Sequence, residues 1–301
     1  MIAARVVACA ALAAAAACTP GPDHERLGDR RYAEHAYVDA LAEYRLAMEQ
    51  HRPNAALRAK FAQAALRSGA LSDAVAAYRD LARAEPAALD EAADGLTRAA
   101  RLAVGARDMG ALTDAMVALH DAAPERPVGP LAVALGASST ALARRPDAMD
   151  VLLQAAAAAG TPAAADSFLE AYGDVNARLG RCDVAVRVYT GVLGRSRVAS
   201  MRAAAQGGLA GCAVADGQLA LSAGALDEAV AKLGRAIAIG MPDSTVRLAW
   251  LLMGDARWAG GDTARALDAY RHVVAGAPEQ DPLVVRASAQ MDRMLKGTAT
   301  P

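Results

Sequence analysis

A four-part signature recurs seven times along the 301 residues, and it restricts the fold more than any single residue does. Seven alanines serve as anchors: Ala40, Ala74, Ala115, Ala148, Ala185, Ala229 and Ala266. Four residues after each stands a large apolar side chain: Tyr44, Tyr78, Leu119, Leu152, Tyr189, Leu233 and Tyr270. Five residues before stand His35, Gly69, Gly110, Ala143, Gly180, Gly224 and Gly261, and twelve before stand Gly28, Ala62, Ala103, Gly136, Gly173, Gly217 and Gly254. A proline follows six of the seven units: Pro53, Pro86, Pro127, Pro162, Pro242 and Pro278. The anchors lie 34, 41, 33, 37, 44 and 37 residues apart, a period in the range of helical repeat arrays.

Two helices of 12 to 16 residues, a glycine turn between them and a proline after the second reproduce this spacing. The glycine accepts the left-handed conformation that ends the first helix. The proline cannot continue the second helix and biases its neighbour away from helical geometry. Within the second helix the anchor alanine and the bulky residue four on share one face. A small residue facing a bulky one lets two helix axes approach while the bulky side chain fills the space beside it. One such pair cannot bury its own apolar stripe, so neighbours must stack. Alanine abundance alone does not produce the pattern, because four of the 7 tyrosines occupy the same register.

The order of small, small, aromatic and proline residues resembles the tetratricopeptide repeat. The unit from 247 to 280 matches best (Trp250, Gly254, Gly261, Ala266, Tyr270, Pro278), and the unit from 55 to 88 is nearly as good (Gly69, Ala74, Tyr78, Pro86). Units from 96 to 162 are degenerate, with Leu119 and Leu152 replacing the aromatic. The expected fold is therefore all-α, a superhelical solenoid of about seven tetratricopeptide-like helix-turn-helix repeats over 26–280, with a closing helix and tail over 281–301. A closing helix from about Leu283 to Leu295 would cover Leu251 and Trp258.

The resemblance implies a protein-binding scaffold without an enzymatic activity of its own, in which the first helices line a concave groove. Projecting those helices inward gives Gln63, Leu66, Arg67, Arg107, Asp108, Thr140, Glu170, Asp174 and Arg178, a mixed-charge surface suited to extended peptide segments. No lysine falls in this projected groove, so the lysine and asparagine clamp used by chaperone co-factors of the family is not visible.

Residues 1–17 carry one positive charge, Arg5, and then an apolar run from Val6 to Ala17. That is the form of a secretory signal, and 12 residues are too few to span a bilayer comfortably. Small residues directly before Cys18 resemble the bacterial lipobox, in which the cysteine becomes the acylated N-terminus; Ala15 stands where leucine is usual. Residues 18–25 read as a tether. Three readings compete: lipidation at Cys18, ordinary secretion with cleavage near Ala17, and an uncleaved anchor. Thr19 is not the aspartate that retains many lipoproteins at the inner membrane, so the analogy points to the outer membrane facing the periplasm.

Lys plus Arg number 32 against 33 Asp plus Glu, and no basic block stands out. This argues against nucleic acid and against electrostatic binding to anionic lipid. No phosphate loop, Gly-x-Ser-x-Gly or His-Glu-x-x-His motif is present, and the five histidines are scattered. Met241, Met253, Met291 and Met294 read as core filler rather than a soft-metal site. No cofactor or metal is expected.

With Cys9 in the signal and Cys18 at the lipid site, two cysteines remain, Cys182 and Cys212. A helix from Cys182 to Ser196 climbs about 21 Å and its antiparallel successor returns about 18 Å by Cys212, at about 1.5 Å per residue. Both sulfurs should sit at one level of a helical hairpin. A disulfide, two buried free thiols, and a redox or metal role are the alternatives; the CxxC spacing usual for the last is absent.

These readings converge on a periplasm-facing lipoprotein scaffold that binds envelope proteins or peptide segments in cell-envelope assembly. The alternative is a regulatory or sensory module whose groove takes a short peptide or glycan.

Overall fold

The computed structural model describes residues 23–50, 52–126, 128, 131, 133–134 and 144–297. The signal stretch 1–17, Cys18, Pro127, Gly136, Thr140, Ala143 and the last four residues lie outside the described residues. Among the described residues there are fourteen α-helices and no strand. They divide between two compact units, residues 1–126 and 127–301.

The first unit holds α1 (His24–Ala33), α2 (Tyr37–Gln50), α3 (Ala55–Ser68), α4 (Leu71–Ala84), α5 (Leu89–Ala106) and α6 (Met109–Ala122). The second holds α7 (Met149–Ala158), α8 (Pro162–Arg178), α9 (Cys182–Arg195), α10 (Ala199–Ser222), α11 (Leu226–Ile239), α12 (Asp243–Ala259), α13 (Thr263–Val274) and α14 (Pro282–Leu295). Within each unit every helix packs on the next, and α3 also touches α5, α4 touches α6, and α10 touches α8 and α12. The result is a stack of helical hairpins. The first helix begins at His24, inside the stretch read as tether. Helix α10 runs 24 residues, beyond the expected 12 to 16, and this accounts for the widest anchor spacing.

Local chemistry sets the boundaries. Asp23, Asn54, Asp108, Thr161, Asp262 and Asp281 each accept a first-turn backbone N–H through the side chain, satisfying donors that have no partner inside the helix. His35, Gly69, Gly180, Gly224 and Gly261 all have positive φ, five residues before their anchors. The following helix starts two residues later, at Tyr37, Leu71, Cys182, Leu226 and Thr263.

Tyr44, Tyr78, Tyr189 and Tyr270 are among the largest fully buried side chains. The rings of Tyr44, Tyr189 and Tyr270 lie against the glycine of their own first helix. A Cβ on Gly28 would stand 2.6 Å from the Tyr44 ring, and one on Gly173 would stand 2.7 Å from that of Tyr189. Gly217 is as close to Leu233, and Gly254 packs on Tyr270 in the same way. The opposite side of the ring meets the next hairpin, through Gly95 at Tyr78 and Gly208 at Tyr189. Tyr189 is thus clasped between two first helices, with an absent side chain on each of them.

One repeat departs from the sequence reading. Gly110 lies inside α6, and the left-handed residue is Arg107 (φ 56). Counting from Arg107 as in the other repeats makes Leu112 the anchor, Met116 the bulky residue and Ala100 the small one, all fully buried. The anchor assignment at Ala115 and Leu119 is three residues late. Asp108 caps the N-terminus of α6, so this turn closes with a capping carboxylate and no glycine. Ala103, Ala115 and Leu119 are buried too, which is why the shifted register also satisfies the apolar pattern.

Candidate binding face

Three buried tyrosines reach through their glycine contact to a carboxylate on the first helix. Tyr44 donates its hydroxyl to Asp29 (2.8 Å), Tyr189 to Asp174 (2.6 Å) and Tyr270 to Asp255 (2.8 Å). Each aspartate directly follows the glycine that the ring packs on, so the sequence signal is Gly-Asp with tyrosine fifteen residues after the aspartate. Sequence reasoning singled out Asp174 but missed Asp29 and Asp255. Burial first, and the facing carboxylate next, raise all three phenols well above the ordinary tyrosine range, although for Tyr270 the carboxylate charge outweighs its hydrogen bond. They remain protonated donors.

Two of these pairs are completed by a basic side chain from the next first helix. Lys60 of α3 places its ammonium 2.8 Å from both Asp29 and Glu25. Arg286 of α14 lies 2.6 Å from Asp255, which is buried and also accepts from Gln290. At Tyr78, whose hairpin has Gln63 where the others have aspartate, Arg98 of α5 stands beside the hydroxyl.

The Tyr189 pair is different. Arg98 comes three residues after Gly95, the residue covering Tyr78, and Gln290 three residues after Ala287, which packs with Tyr270. The residue three after Gly208 is Gly211, and the residue one before it, matching Arg286, is Gly207. A side chain at Gly211 would meet open space. Instead of a cation, the site holds a second carboxylate, Glu170, one helical turn before Asp174. Burial and then the Asp174 charge push its pKa up to about 7. Asp166, one turn earlier on the same helix, is 2% exposed but neutralised by Arg195 at 2.5 Å. Among the described residues no such ion pair forms at Glu170 or Asp174.

The other residues expected in the groove fall in several places. Gln63 bonds Glu91 and helps line a cavity of about 240 Å³ with Asp29, Tyr32, Tyr44 and Lys60. Lys60 therefore stands beside Gln63, which corrects the expectation of a lysine-free groove, but its charge is taken by Glu25 and Asp29. Leu66 belongs to the core at 9% exposed. Arg67 and Arg178 are exposed at the ends of α3 and α8. Arg107 and Asp108 form the turn between α5 and α6, where the backbone must reverse, and so do not lie on a helix face. Thr140 lies outside the described residues.

Cys182 and Cys212 are free thiols, both buried, in one cluster with Ala185, Tyr189, Val192 and Ala205. The helical hairpin brings them together, and the disulfide considered from the sequence is not formed in this structure.

These features define a class of protein: tandem tetratricopeptide-like helical hairpins, all-α, with tyrosine–carboxylate pairs on the first-helix face. No protein-family model and no curated protein sequence matches the chain. Similar solved structures include the complex of the TPR2AB domain of yeast Sti1 with pHSP90, at 17% identity, covering 88% of this chain and 97% of that one with a TM-score of 0.28. A tetratricopeptide repeat protein from Parabacteroides merdae is 14% identical, covering 89% and 97% with a TM-score of 0.31. The tetratricopeptide domain of P58(IPK) is 12% identical, covering 91% and 98% with a TM-score of 0.31.

Proposed function

We propose that this chain is a non-enzymatic scaffold of the bacterial cell envelope, lipid-anchored through Cys18, which binds protein partners as extended segments. The first-helix face of the second unit takes a basic side chain of the partner between Glu170 and Asp174. One observation carries the reading: Lys60 and Arg286 pair with the aspartate of the equivalent tyrosine and Arg98 stands beside Tyr78, while Gly207 and Gly211 bring no side chain and Gly211 faces open space. A lysine or arginine from a partner would complete the missing triad. It would gain a charge-assisted hydrogen bond on a half-buried surface and relieve the repulsion between two carboxylates.

The test is selection of bound sequences from a random peptide library displayed against the full chain. Peptides rich in Lys or Arg should be enriched, and the enrichment should vanish in a Glu170→Lys, Asp174→Asn variant of unchanged helicity. The asparagine keeps an acceptor for the Tyr189 hydroxyl, so loss of charge is separated from loss of the core hydrogen bond. Equal enrichment by the variant, or enrichment without basic residues, would overturn the assignment of the site.

A further inference from the structure

We infer that Cys182 and Cys212 are a modification site, a dithiol that closes to an intramolecular disulfide joining α9 to α10 by exchange with a disulfide-bearing oxidant. The observations are geometric. Cys182, Ala185, Tyr189 and Val192 form one stripe of α9, and Ala205 and Cys212 face it from α10. Both thiols belong to the same buried cluster, and Cys212 senses the charge state of Cys182. They are the only two cysteines among the described residues.

Access is asymmetric. Cys182 is 7% exposed and Cys212 2%. Cys182 is the first residue of α9, whose N-terminus has no side-chain cap, and an uncapped first turn opens more readily than a helix centre. Cys212 sits midway along α10. Burial chiefly, and then the Cys182 contact and nearby Asp216 and Asp174, push its thiol well above the ordinary cysteine range. Exchange therefore begins at Cys182. Its thiolate attacks one sulfur of the oxidant, a low-molecular-weight or protein disulfide, and expels the other as a thiolate. Cys212 then loses its proton and attacks the Cys182 sulfur of the mixed disulfide, expelling the second thiolate. The oxidant's disulfide bond is broken, the Cys182–Cys212 bond is formed, and two electrons pass from the protein to the oxidant. The two protein protons end on the released thiols.

The bond would clasp the helix carrying Tyr189 to the helix covering it, closing a loop of about thirty residues. Cross-links of that length stabilise the folded state by restricting the unfolded chain.

The experiment equilibrates the native full chain in buffers of reduced and oxidised glutathione, followed by intact mass, peptide mapping and thermal unfolding. Under oxidising conditions a linked Cys182–Cys212 peptide should appear with a loss of two hydrogens, Tm should rise by several degrees, and reductant should reverse both. Cys182→Ala should abolish the redox dependence of Tm while keeping helicity. Native protein that stops at a glutathione adduct on Cys182 would overturn the inference. So would protein that keeps both thiols free where the urea-unfolded chain oxidises, or links either thiol to Cys9 or Cys18. None of these outcomes bears on peptide selection at Glu170, so the two proposals fail separately.

Discussion

Glu170 and Asp174 lie one turn apart on α8, facing Tyr189 of α9 and Cys212 of α10, and among the described residues no basic side chain forms an ion pair with them. Burial is the larger cause of the Glu170 shift and the Asp174 charge the smaller. The folded state therefore holds a proton on Glu170 that the unfolded chain, titrating near 4.5, has already lost. The stability this contributes is full below about 4.5 and disappears as pH rises through about 7. Glu170→Gln keeps the size and a neutral polar head, so the variant should match wild type at pH 5 and exceed it at pH 8. Urea midpoints across that range read the difference, and parallel curves for the two proteins would show that Glu170 ionises as an ordinary surface carboxylate. A bound cation reverses the sign: with a basic peptide present, affinity should rise as pH increases through 7, because binding drives the proton off.

At the scale of elements, the turn before α6 is built from chemistry unlike that of its relatives. Arg107 sits at φ 56, a region that costs a residue with a Cβ about 1–2 kcal/mol and glycine very little. Arg107→Gly should thus stabilise the first unit, by about 1 kcal/mol once the freer unfolded chain is counted. Chemical denaturation measures it, and a loss of stability would mean that the arginine side chain itself holds the turn. The same position shows how far the sequence could be read. Wherever a glycine marked the turn and an aromatic marked the second helix, hairpin, register and buried face were all legible, because each residue type has one physical reason to be there. Between 96 and 122 no aromatic marks the second helix and Gly110 lies inside α6 instead of at the turn, so an alanine-rich stretch satisfies the apolar pattern in two registers three residues apart; only the Asp108 cap separates them. The groove was less legible than the fold. Projecting first helices found Glu170, Asp174 and Gln63, but the feature that distinguishes Glu170 and Asp174 is the absence of side chains at Gly207 and Gly211 on another helix. No single-helix projection contains that information.

At the scale of the whole molecule, the proposed lipid anchor makes its own prediction. Among the described residues no helix is long and apolar enough to cross a membrane, and the apolar run from Val6 to Ala17 is short for the same task. A near-neutral net charge of -1 offers no electrostatic attraction to an anionic surface. Under the proposed lipidation at Cys18, stable attachment would rest on several acyl chains, because a single chain gives only marginal, reversible binding. Cys18→Ser tests this in the expressing bacterium by fractionation. Under lipidation at Cys18, wild type should be in the membrane fraction and the variant should leave it. Under ordinary secretion with cleavage near Ala17, both should appear in the soluble fraction after osmotic shock. Under an uncleaved anchor, both should stay with the membrane and retain the mass of residues 1–17. The proposal commits to the first pattern, and either of the others removes the lipid anchor while leaving the helical array and the Glu170 site as they are.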